Sequence, residues 1–172
     1  MLDGGTFERV DDGWWRMNTS IGPAPESSAE LRVADLCERV DTFRERSGDL
    51  CVIVLAVEDV ATIRKLHGDQ TADELVECIR DRVCVRTRGT DLVVAVSDDE
   101  FIVVLTAITA PGDATFVAAK ICHQIGEPMT ASGREIHMTA HTGIAVAGAG
   151  DSGADLIARA RRDALRVATS DS

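Results

Sequence analysis

The chain has 172 residues, with 18 Lys and Arg against 29 Asp and Glu, a net charge of −11 and a pI near 4.7. At roughly 100–200 residues per domain, that length accommodates one domain and a tail. So acidic a chain gains nothing from counterion release, which argues against binding a nucleic acid polymer or docking on a membrane through a polybasic patch. Hydrophobic residues make up 45% and aromatics 3%, so a core can be filled, but with Val, Ile, Leu and Ala. No apolar run is long enough to cross a bilayer, and residues 1–20 lack a signal-peptide pattern, so a cytoplasmic domain is expected.

Residues 1–27 are rich in Gly, Asp, Ser and Pro and are expected to form a flexible tail. The Trp14-Trp15 pair within it is open to three readings: docking on this chain's own surface, contact with a partner or second copy, or disorder. Residues 28–172 carry the domain. Ser27-Ser28 offers an N-cap to a leading helix over 28–47, with Leu31, Ala34, Leu36, Val40 and Phe43 on its apolar side. Leu50–Val57 is an unbroken apolar run, the pattern of a strand covered on both faces at the centre of a sheet.

A short helix is predicted from Val60 to Leu66. A longer one follows Gly68-Asp69, with Leu75, Ile79 and Val83 spaced by four, ending near Gly89. Leu92–Val96 and Phe101–Leu105 flank four polar residues and predict a hairpin with its tip in water. Asp113 can cap a helix whose apolar face is expected to be Phe116, Val117, Ala118, Ile121 and Ile125. A second hairpin is predicted around Ser132-Gly133, running on into Thr142–Ala147, and a last helix from Ser152 or Asp155. The order α-β-α-α-β-β-α-β-β-α suits helices covering a mixed sheet.

Five cysteines (Cys37, Cys51, Cys78, Cys84, Cys122) without a CxxC read as reduced thiols, mostly in apolar runs, rather than a disulfide frame or zinc site. His137 and His141 are expected on one strand, about 13 Å apart, too far to share a metal ion. His67 and His123 read as surface or packed histidines. Arg159, Arg161, Arg162 and Arg166 read as charges suited to a helix end and to solubility.

The segment Asp91-Leu92-Val93-Val94-Ala95-Val96-Ser97-Asp98-Asp99-Glu100-Phe101-Ile102-Val103-Val104-Leu105 resembles the signature of the GGDEF family, the diguanylate cyclases. There a strand enters Gly-Gly-Asp-Glu-Phe and a second strand leaves it. The resemblance runs over about 119 residues, from Leu50 to Ala168, and includes Gly68, Ala72-Asp73-Glu74-Leu75 and Thr142-Gly143-Ile144-Ala145. It implies an α/β fold of the palm-like α+β type, a central mixed sheet flanked by helices as in nucleotide cyclases. Family members condense two GTP molecules into cyclic di-GMP across a two-fold dimer, using carboxylate-bound Mg²⁺.

Measured against that pattern the signature Ser97-Asp98-Asp99-Glu100-Phe101 is degenerate: its first two positions depart, while Asp99, Glu100 and Phe101 match. Ser97 and Asp98 replace the glycines that let a backbone approach phosphate. At about 4 Å and an effective dielectric near 20, each like-charge contact between Asp98 and a triphosphate costs about 4 kcal/mol before screening. The family's first-strand aspartate falls on Ala56, leaving Glu58, Asp99 and Glu100 as weak metal candidates. The guanine-reading positions fall on Arg64 and Lys65, and the late lysine falls on Ala168 or Thr169.

The resemblance also points to a site that is retained. Many cyclases bind their product at Arg-x-x-Asp, five residues before the signature, and Arg88-Gly89-Thr90-Asp91 has that pattern and spacing. Arg88 can fork onto a guanine edge or phosphate and Asp91 can accept from guanine N–H groups, with Lys120 near a further family arginine; the bland alternative is a salt bridge closing a loop. The expected function is a catalytically silent domain sensing cyclic di-GMP, with no catalytic residues and no cofactor. The alternative is a ligand-free interaction or dimerisation module acting on a cyclic di-GMP-metabolising or effector protein. A residual cyclase would need Mg²⁺ on Glu58, Asp99 and Glu100.

Overall fold

The computed structural model describes residues 7–11, 14–17, 29–47, 49–88 and 90–170. In chain order the elements are β1 (Phe7–Asp11), β2 (Trp14–Met17), α1 (Ala29–Ser47), β3 (Leu50–Val57), α2 (Val60–His67), α3 (Asp69–Cys84), β4 (Leu92–Ala95), β5 (Glu100–Thr106), α4 (Pro111–Gly126), β6 (Met129–Ala131), β7 (Arg134–Ile136), β8 (Ala140–Val146) and α5 (Gly153–Ser170).

The apolar run of β3 does what its composition requires. Leu50, Val52 and Val54 pack with Leu36 and Val40 of α1 and Leu156, Ile157, Ala160 and Ala164 of α5. Cys51, Ile53, Leu55 and Val57 pack on the opposite face with Leu75, Ile79 and Val83 of α3 and Ala118, Ile121 and Ile125 of α4. Each such aliphatic side chain, fully buried, contributes about 1.5–3 kcal/mol, so this strand anchors both layers.

Six strands form one sheet in the order β1-β2-β4-β5-β3-β8, and every pairing is antiparallel. The α+β architecture is as expected, but the sheet is antiparallel rather than mixed. Two helices carry the chain from β3 to β4, which runs parallel to it. β5 then folds back between them, and β3 likewise separates β5 from β8. Parallel strands therefore alternate with inserted antiparallel ones, a split βαβ arrangement. The β6–β7 hairpin forms its own two-stranded sheet. It is pinned by Glu74 Oε2, which accepts from the Ser132 hydroxyl at 3.1 Å.

Three boundaries differ from expectation. Within the stretch read as a tail, β1 and β2 pair with each other, and β2 extends the sheet with Trp14 opposite Val94 and Trp15 opposite Val93. Aromatic and β-branched residues there outweigh the polar composition, and the added strand covers the edge of β4. The rest of residues 1–27, and the Ser27-Ser28 cap, lie outside the described residues. α3 ends at Cys84 rather than near Gly89, because Cys84 O accepts from both the N–H and the hydroxyl of Thr87. His137 lies between β7 and β8 rather than on a strand.

Close approach fixes one glycine. A Cβ on Gly143 of β8 would overlap the Ala160 carbonyl and the Ala164 amide of α5. Asp41 Oδ1 of α1 accepts from Gly153 N at 2.7 Å, tying α1 to the start of α5. Among the described residues no helix is long and apolar enough to cross a membrane.

Candidate functional site

The turn between β4 and β5 sits at the end of β3, where Val57 N donates to Asp99 O at 2.8 Å and Ala56 pairs with Glu100. Ser97 closes it: its hydroxyl donates to Asp99 Oδ1 at 2.6 Å and accepts from Glu100 N at 3.1 Å. Neither Ser97 nor Asp98 has a positive φ, so this turn forms without glycine.

Each acid of the turn and its surroundings has a partner within the chain. Arg64 of α2 reaches Asp98 Oδ2 at 2.6 Å, Asp73 Oδ1 at 2.9 Å and Asp69 Oδ1 at 3.0 Å. Hydrogen bonds to Asp69, Asp73 and Asp98 hold the guanidinium further above its usual pKa. One cation among three carboxylates leaves this corner net negative. Glu100 Oε1 takes both Nε (2.9 Å) and Nη2 (2.6 Å) of Arg161 on α5. Glu58 Oε1 lies 3.0 Å from Nε2 of His141, which is buried. Ala56 stands between Glu100 and His141 in the sheet.

The three metal candidates of the sequence are each engaged within the chain. Glu58, Asp99 and Glu100 are turned to an imidazole, a hydroxyl and a guanidinium, and Ala56 supplies no oxygen. Among the described residues, no three His, Cys, Asp or Glu side chains come together as ligands. His137 and His141 meet different carboxylates, Glu135 at 3.6 Å and Glu58. His123 pairs with Glu127 at 3.5 Å.

At the other end of β4, Asp91 is 4% exposed. Its Oδ2 accepts from Arg88 N at 2.7 Å, and its Oδ1 accepts from the Thr106 amide at 3.0 Å and lies 3.5 Å from the Thr106 hydroxyl. The carboxylate thus closes the loop and ties it to β5. The Arg88 side chain is exposed and makes no hydrogen bond or ion pair among the described residues. Arg88 lines a groove of about 440 Å³ with Arg86, Asp113, Phe116 and Lys120, while Asp91 lines a smaller cleft beside it, again with Arg86 and Arg88. Asp113 caps α4 from inside its first turn, accepting from the Thr109 hydroxyl at 2.8 Å and from Ala110 N at 3.0 Å. Those bonds, the Thr109 hydroxyl foremost, hold its carboxyl below the usual range. Lys120 places Nζ 4.2 Å from the centre of the Phe116 ring.

Residues 31–170 match the family model described as diguanylate cyclase, GGDEF domain. The chain belongs to the GGDEF family. The cyclic di-GMP phosphodiesterase NbdA of Pseudomonas aeruginosa is 26% identical over 109 residues, 63% of this chain and 14% of that protein. This GGDEF domain therefore corresponds to a small part of that relative. The GGDEF domain of TpbB (YfiN) from Pseudomonas aeruginosa superposes with a TM-score of 0.73 at 25% identity, covering 81% of this chain and 84% of that one. The GGDEF domain of DgcB from Caulobacter crescentus, solved with c-di-GMP, gives 0.74 at 15% identity, covering 88% and 90%, a likeness of fold.

Sequence reasoning missed Arg161. The arginines of α5 read as solubility charges, yet Arg161 forks onto Glu100, and Arg159 meets Asp151 Oδ2 at 2.6 Å and Val146 O at 2.7 Å. No local signal marks Arg161, because Glu100 is 61 residues away and only the packing of α5 on the sheet joins them.

Proposed function

We propose that this GGDEF domain is a catalytically silent receptor for cyclic di-GMP, which it binds on the face presenting Arg88. The observation that carries the reading is that Arg86, Arg88 and Lys120 line one groove in a chain of net charge −11, with no carboxylate within ion-pair distance of any of them among the described residues. A guanidinium makes paired, charge-assisted bonds to a phosphate or to the acceptor edge of guanine. Asp91 acts here as the positioning residue that holds Arg88 outward.

Several features support the loss of cyclase activity. GTP would have to displace Arg64 from Asp98, then lie against three carboxylates. Its metal would have to draw Glu100 from Arg161 and Glu58 from His141 without an acid at Ala56. Binding of the dinucleotide would be communicated to a cyclic di-GMP-metabolising or effector protein, or to a second copy of this chain.

The test is calorimetric titration with cyclic di-GMP, beside a GTP turnover assay with Mg²⁺ or Mn²⁺. Micromolar binding, weakened tenfold or more in Arg88→Ala, with no turnover, is expected, since a bond to a charged group contributes about 1.5–3 kcal/mol. Absence of heat at saturating ligand would refute the receptor and leave a protein-docking domain, whereas turnover of GTP would refute catalytic silence.

A further inference from the structure

Phe116, expected on the apolar face of α4 with Ala118, Ile121 and Ile125, is instead 61% exposed in a chain with only 3% aromatic residues, where Phe101 by contrast is wholly buried. An apolar ring left in water on the polar side of a helix gives up burial free energy that a ligand can recover. The ring stands where two hollows meet, one of about 440 Å³ on the Arg88 side and one of about 400 Å³ reaching His123 and Gln124. Arg86, Phe116 and Lys120 line both. The Lys120 ammonium rests over the ring face, and the Arg86 Nε is buried without a hydrogen-bond partner among the described residues. A flat aromatic face lining the same hollows as Arg86 and Lys120, with Asp113 the one carboxylate in their lining, matches a ligand that joins an aromatic base to phosphate.

We infer that Phe116 is a base-stacking residue: a guanine of the bound cyclic dinucleotide lies on its ring, and the adjoining phosphate draws Lys120 off the ring and faces Arg86. This rests on the receptor reading above and extends that site beyond Arg88 and Asp91. The exposed cation–π contact that is given up is weak, and an ammonium–phosphate pair replaces it. Stacking also explains why a lysine suffices at position 120. The base is held by its face, so no guanidinium fork is needed there.

The experiment is titration of cyclic di-GMP into wild type, Arg88→Ala, Phe116→Leu and Phe116→Trp, followed by calorimetry and indole emission. Phe116→Leu should weaken binding roughly 5- to 100-fold, the range for one lost base–aromatic stack. Phe116→Trp should bind within about threefold of wild type, with its added indole quenched at saturation relative to Phe116→Leu, which has Trp14 and Trp15 alone. The exposure of position 116 makes both variants compatible with folding. If wild type binds, Arg88→Ala does not, and Phe116→Leu binds like wild type or the new indole stays unquenched, the stacking inference falls and the receptor stands. If wild type does not bind, both fall.

Discussion

Replacing Asp91 with Ala separates a carboxylate that builds the loop from one that touches ligand. The side chain is 4% exposed, and its two oxygens accept from the main-chain N–H groups of Arg88 and Thr106 and face the Thr106 hydroxyl. Removing it orphans two part-buried backbone donors. A fully buried orphan costs about 1–3 kcal/mol, so the pair should cost about 2–4 kcal/mol once partial access to water is allowed for. Asp91→Asn keeps one acceptor and should lose about half of that. Urea unfolding at neutral pH reads both values, provided the m-value is unchanged. A loss below about 0.5 kcal/mol in Asp91→Ala would refute the loop-closing role. Cyclic di-GMP affinity supplies the second readout. If Asp91 only positions Arg88, affinity should fall in step with stability across the two variants. A large affinity loss in Asp91→Asn with stability intact would mean that the carboxylate meets guanine directly, as the Arg-x-x-Asp pattern suggested.

Gly143→Ala forces a methyl group into the backbone of α5 at Ala160 and Ala164, which no rotamer change relieves; thermal unfolding should show a loss of at least about 3 kcal/mol, roughly 6–12 °C for a chain of this size. Arg64→Ala should lower stability by no more than about 1 kcal/mol at low salt and less at high salt, because Asp69, Asp73 and Asp98 are largely exposed, and a salt-independent loss above that would show a buried role instead. The carboxyls of Asp151 (through the Gly148 amide, then Arg159), Asp155 (through Ser152) and Asp163 (through Arg166, then the Ile144 amide) are held below the usual range. Their stabilisation is therefore complete above the unfolded-state value and is lost as pH falls below about 4, so urea midpoints should drop between pH 5 and pH 3 and drop less in Asp163→Asn. Burial pushes the Cys51 and Cys84 thiols up to about 12, so in the native protein at pH 8 both should resist a thiol reagent that labels them after denaturation.

Legibility in the sequence followed the range of the interactions. The Leu50–Val57 run showed its own burial, since a strand without polar alternation has no face for water. The β4–β5 hairpin was legible because four polar residues between apolar runs specify a local reversal. The sheet's sense was not, because it depends on β5 entering between β3 and β4, a choice made in three dimensions. The partners of Glu100 and Glu58 come from residues 61 and 83 positions away, and nothing near Arg161 or His141 announces them. Arg88-Gly89-Thr90-Asp91 shows both cases at once. Its residue types and spacing pointed to the loop, but the inward turn of Asp91 follows from the donors of Thr106, which the pattern does not contain.

The two ends of the β4–β5 hairpin can change independently, and the reason is distance. Asp91 and Ser97 are six residues apart along an extended strand, roughly 20 Å. That is more than twice the Debye length of about 8 Å at physiological ionic strength. Charges gathered at the turn by Asp98, Asp69 and Asp73 are therefore screened from Arg88. The side chains bonded to each end also differ: Arg64 and Arg161 serve the turn, and Thr106 serves the loop. The strands between contribute Val93, Val94, Ile102 and Val103, whose burial needs neither GTP nor metal. Substitutions that close the turn on itself thus cost the core nothing and leave the Arg88 face its geometry. On the receptor reading proposed above, a domain with this sheet would give up nucleotide chemistry at one end of the hairpin and keep ligand recognition at the other.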